Sequence, residues 1–180
     1  MRLSFKNIFK SLMITLLLLI LCEILSSTFL PFMGFTNFKI PFNVIIVLFL
    51  ALRIQDDGLP IYILATQLIH SIFSNEGWAV GTIIGIIVSF MVSITKDLIQ
   101  FSSAFVTIVT VQVFQIIWFL LMSSILCLKM GDFSKFGTII INFFPESIVL
   151  SLMSPLFFNL LSRIWLKGNS IGEKGSSHVW

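Results

Sequence analysis

Few side chains in this 180-residue sequence could do chemistry, and they stand inside long apolar runs. Polar groups in such runs are costly, so each needs a reason. Glu23 lies past the middle of the first run. It is a proton or cation site, a contact to a partner's polar group, or, more simply, a protonated carboxyl hydrogen-bonded within the fold. Gln67 and His70 are three residues apart and share one helix face. His70 falls near the end of its run, where an interfacial position is expected rather than a metal site. No second His or Cys stands at ligand spacing. Gln112 and Gln115, with Thr107, could hydrogen-bond to neighbouring helices or line a small-molecule cavity. Asn142 and Glu146 are expected at the mouth of the last run. Cys22 and Cys127 lack metal-site spacing and are expected to pack as inert thiols. The sequence shows no nucleophile–base pair, phosphate loop or carboxylate cluster. It carries no enzyme signal, and no catalytic, metal or cofactor site is expected.

The elements that must hold these residues follow from composition. The chain is 57% hydrophobic and 11% charged, with a mean hydropathy of +1.07, whereas soluble domains carry about 25% charged residues. The apolar runs are continuous rather than alternating, which argues for helices over a β-barrel. The expected fold is all-α, a polytopic six-transmembrane-helix bundle. Residues 1–168 form one transmembrane domain, with spans at 11–31, 41–53, 59–73, 78–96, 101–128 and 145–165. The Gly/Ser-rich residues 169–180 form a flexible cytoplasmic tail. Spans two and three are short and are expected to tilt or half-cross, buried against the others.

Residues 1–10 carry Arg2, Lys6 and Lys10 and no acid, and Leu12–Leu21 resembles a signal-peptide core. No small-x-small site follows, so an uncleaved first span with a cytoplasmic N-terminus is expected. Six spans then put Arg2, Lys6, Lys10, Arg53, Lys96, Arg163, Lys167 and Lys174 inside, against Lys39, Lys129 and Lys135 outside. That asymmetry obeys the positive-inside rule. Pro145 is expected to open span six, with Glu146 suited to the positive helix end.

Span four has small residues at every fourth place: Gly77, Gly81, Gly85, Ser89 and Ser93. Such a stripe lets another helix backbone come close. It drifts by about 40° per step, so one straight partner cannot follow it all. The short second and third spans are the expected filling, which makes the stripe an intramolecular keystone. The search for a partner surface then moves to span one and Glu23.

The C-terminal stretch has Pro145, Ser151, Ser154, Pro155, the apolar run Leu156–Leu161 and Arg163. In this order it resembles the last span of the rod-shape-determining MreD family. Val44–Arg53, ending in a basic turn, is similar to that family's second span. Glu76–Gly81 is similar to the acid/Gly turn that opens its fourth. Asp56-Asp57 and Ser151 depart from the family pattern.

The resemblance implies a non-enzymatic subunit of the cell-wall elongation machinery in the bacterial inner membrane, with both termini cytoplasmic. Its implied partner is a bitopic MreC-like protein, with MreB, RodA and a penicillin-binding transpeptidase beyond it. No nucleic acid is expected. The family is also similar in fold to the substrate-binding subunits of energy-coupling-factor vitamin transporters. That supplies the rival expectation, a subunit whose cavity is lined by Gln112, Gln115, Glu146, His70 and Trp78. A proton-coupled carrier using Glu23 is a third, disfavoured because no internal repeat is apparent.

Overall fold

The computed structural model describes residues 5–32, 40–54, 58–74, 77–95, 103–134 and 136–166. They form six helices: α1 (Phe5–Phe32), α2 (Phe42–Arg53), α3 (Leu59–Phe73), α4 (Trp78–Thr95), α5 (Ala104–Met130) and α6 (Phe136–Leu166). The described residues contain no strand. The chain is an all-α membrane bundle, and α1, α4, α5 and α6 are long and apolar enough to cross a bilayer. The 12-residue α2 and 15-residue α3 rise about 18 and 22 Å, short of the roughly 30 Å hydrocarbon thickness. Expectations for Asn75, Glu76, Lys96-Asp97 and the 169–180 tail fall outside the described residues.

Local chemistry sets the helix ends. Pro60 stands in the first turn of α3, where its missing N–H is not needed. The Ser103 hydroxyl caps α5 by accepting from the Val106 N–H at 3.3 Å. Gly131 closes α5 in the left-handed conformation, φ +68°, which a side chain would resist.

α6 differs from expectation. Pro145 does not open the helix but lies well inside it, and Glu146 is a buried mid-helix residue. The helix begins one turn after Phe133, whose carbonyl accepts from the Phe136 N–H at 3.1 Å. The apolar run Ile139–Ile141 upstream of Pro145 therefore joins the span. Helix capping does not account for Glu146. An internal proline frees the carbonyl four residues earlier, and neighbouring hydroxyls can satisfy that carbonyl in lipid. The second proline, Pro155, shows the device. The carbonyl it frees belongs to Ser151, and that oxygen accepts from the Ser154 hydroxyl at 2.6 Å.

The centre of the bundle is α2. Every residue from Phe42 to Leu52 is buried, and α2 packs against all the other helices. Phe42 meets Phe157 at 5.4 Å between ring centroids, and Phe49 meets Phe158 edge-on at 5.5 Å. A helix this short has both ends within the depth of the bundle, so its terminal backbone groups must be satisfied by protein. The Val44 N–H donates to Pro41 O at 3.1 Å and the Ile54 N–H to Leu50 O at 2.9 Å.

Candidate functional site

The polar residues of the spans are brought together mostly in pairs. Glu23 of α1 is fully buried, and its Oε1 lies 2.7 Å from Nδ1 of His70 on α3. His70 is itself buried, so the interfacial position expected for it is corrected. The physical reason is helix length. α3 is too short to carry its last turn out of the bundle, and α1 passes beside that turn. Glu23 is likewise not a surface contact for a partner, because it faces inward.

One turn earlier on α3, Gln67 Oε1 accepts from Nδ2 of Asn43 on α2 at 3.2 Å. The expected Gln67 and His70 therefore share a face but serve different neighbours. Nearby, Ser26 Oγ accepts from the Ile40 N–H at 3.4 Å. Ser26 and Ile40 stand three residues beyond Glu23 and before Asn43, so those two side chains lie at the same depth. Asn43 was not among the sequence candidates. It stands two residues after Pro41 and reads as a helix-start residue. An amide at the head of a helix that is otherwise apolar as far as Leu52 was the available signal.

Elsewhere Gln112 Nε2 donates to Ser147 Oγ at 3.0 Å across α5 and α6. Gln115 is fully buried, and neither amide atom has a hydrogen-bond partner among the described residues. Thr107 is buried and donates to Ser103 O within its own helix. At the end where α1 begins, Trp165 Nε1 donates to Thr15 Oγ1 at 3.0 Å and Ser11 Oγ to Ile164 O at 3.1 Å. Of the rival cavity lining, His70 belongs to the α1–α3 pair and Trp78 is half exposed, whereas Gln112, Gln115 and Glu146 belong to α5 and α6, with Gln112 bonded to the neighbour of Glu146. Cys22 and Cys127 are free thiols. Among the described residues no three His, Cys, Asp or Glu side chains gather as metal ligands.

The small-residue stripe divides. Gly81, Gly85 and Ser89 are buried, whereas Gly77 and Ser93 are exposed. Gly77 precedes α4 at φ +80°, a turn conformation rather than a packing position. At Gly81 an added Cβ would collide with Gln67 Oε1. At Gly85 it would come 2.7 Å from Ile63 Cγ2 and 3.3 Å from Trp118 Cη2. The side chains that meet these two glycines come from α3 and α5, so the expected third span is joined here by the fifth rather than the second. Ser89 spends its hydroxyl on Ile86 O at 2.8 Å.

Comparison with protein-family models, with curated proteins and with solved structures finds no match to this chain.

Proposed function

We propose that this protein is a non-enzymatic membrane scaffold of the MreD type in the bacterial inner membrane. In this reading both termini are cytoplasmic, and the bundle organises lateral wall synthesis by docking a bitopic MreC-like partner. MreB, RodA and a penicillin-binding transpeptidase are the wider assembly. The observation that carries the reading is the direction of the side chains. Glu23, His70, Asn43, Gln67 and Gln115 are all buried, while α1 turns out Leu17, Leu21, Leu25 and Phe29. α4 likewise turns out Ile83, Phe90 and Ile94, and α6 Leu152 and Leu156. Outward apolar surfaces of this kind are available to partner helices in lipid, which supports the docking reading. The resemblance of the Pro145–Arg163 stretch supplies the class of assembly.

Depletion in the source cells tests it. Rods should round up, and a single-span wall-synthesis protein should co-purify in mild detergent. Cells that stay rod-shaped on depletion refute the scaffold. One observation favours a second reading, a substrate-binding subunit of a vitamin-type transporter: the carboxamide of Gln115 is buried with both polar atoms unpartnered. Native mass spectrometry decides between the two. A retained small organic ligand lost in Gln115→Leu supports the transporter.

A further inference from the structure

The Glu23–His70 and Asn43–Gln67 pairs are joined through α3 into one polar cluster. His70 and Gln67 stand a turn apart on α3, and Glu23 and Asn43 stand at one depth on α1 and α2. Gly81 of α4 abuts the cluster at Gln67. Glu23, Asn43, Gln67 and His70 are each at least nine-tenths buried. Yet three polar atoms of the cluster have no hydrogen-bond partner among the described residues: Glu23 Oε2, Asn43 Oδ1 and Gln67 Nε2. Leaving such atoms unsatisfied in a lipid-embedded interior is costly.

Two of the orphaned atoms are oxygens and one is an amide nitrogen. That set matches a single water, which donates twice and accepts once, the usual three bonds of a buried water. The match does not depend on how the carboxamides are turned. Exchanging O and N in both Asn43 and Gln67 reverses their mutual bond and again leaves one nitrogen and one oxygen unpaired. Nor does it depend on the carboxyl. A protonated Oε2 donates to the water, which keeps a proton for the remaining amide oxygen.

We propose that the three unpartnered atoms converge on one internal water, held jointly by Glu23, Asn43 and Gln67, which closes the cluster and ties α1, α2 and α3 together. The site is separate from any partner surface and does not rest on the scaffold reading.

Water-edited solid-state NMR of the full-length protein in lipid bilayers tests it, with water itself as the probe. Magnetisation from water should reach the side-chain amides of Asn43 and Gln67, and should not reach the backbone amide of Val47 in the buried middle of α2. Asn43→Leu should abolish transfer to Gln67 while the Glu23–His70 contact persists. The wild-type measurement stands even if that variant does not fold. Transfer to Asn43 and Gln67 no greater than to Val47 overturns the proposal, as does undiminished transfer to Gln67 in Asn43→Leu. A shift of the two amide signals when sodium replaces potassium also overturns it, because a metal cation would then hold the place of the water.

Discussion

Adding one methyl group at Gly85 tests the close approach of α3 to α4. The new Cβ would stand 2.7 Å from Ile63 Cγ2, about 0.7 Å inside the 3.4 Å at which ordinary contact begins. Ile63 is fully buried and β-branched, so Cγ2 cannot swing aside as the end of a flexible chain would. Trp118 Cη2, at 3.3 Å, closes the other side. The helices must part, and overpacking of this kind costs about 1–3 kcal/mol. Replacing Gly in a helix returns up to about 1 kcal/mol of propensity. Gly85→Ala should therefore lose up to about 2 kcal/mol against the wild type, and about 1–3 kcal/mol against a Gly→Ala change made in open space. Equilibrium unfolding in mixed micelles of increasing SDS content, followed by tryptophan fluorescence, measures this. Gly137→Ala is the control, because its Cβ meets nothing within 4 Å. Ile63→Ala should cost less in the Gly85→Ala background than alone, because it removes the colliding methyl. A Gly85→Ala protein as stable as the Gly137→Ala control, with additive double-mutant energies, refutes the close approach.

Truncating one partner of the buried Glu23–His70 pair should cost about 3–5 kcal/mol in the same titration, and the double Glu23→Leu/His70→Leu variant less than the sum of the singles. Trp165→Phe removes the N–H donated to Thr15 and should cost about 0.5–1.5 kcal/mol, a loss not repeated when Thr15→Val is already present. Asp132, in the exposed α5–α6 turn, accepts from both the hydroxyl and the backbone N–H of Ser134, which holds its carboxyl below the usual carboxylate range. Its folded value is depressed, so the turn is stabilised above the ordinary carboxyl value and loses that support as pH falls through the folded one. The Ser134 amide resonance should report the change below about pH 4, and Asp132→Asn should abolish it.

Much of this bundle is legible in the sequence. α2 and α3 begin and end within a residue of the places that Pro41, Arg53, Gly58 and Phe73 suggest, because polar punctuation is unmistakable against apolar runs. Glu23, Gln67, His70, Gln112 and Gln115 stand out for the same reason, and all but Gln112 are deeply buried. Which of them meet is a tertiary fact. Nothing in the spacing of Glu23 and His70 joins them across 47 residues. The central role of α2 was hidden for a further physical reason. In a soluble protein an all-apolar helix marks itself as core, but in a bilayer lipid-facing and buried helices have the same composition. Glycine makes the stripe on α4 visible, while the helix at the centre is marked only by Asn43 at its head. The start of α6 was misplaced because proline at a helix start and proline within a membrane helix look alike in sequence.

The enclosure of α2 has a consequence for how the chain is made. α2 leaves the ribosome well before α6, yet Phe42 and Phe49 find aromatic neighbours on that later helix. A nascent chain halted after α5 would leave one side of its hub facing lipid or a membrane chaperone. Folding of the bundle is thus completed from its C-terminal end. A lesion in Phe157 or Phe158 should act as a late assembly defect, in which the membrane inserts every helix and the bundle fails to close.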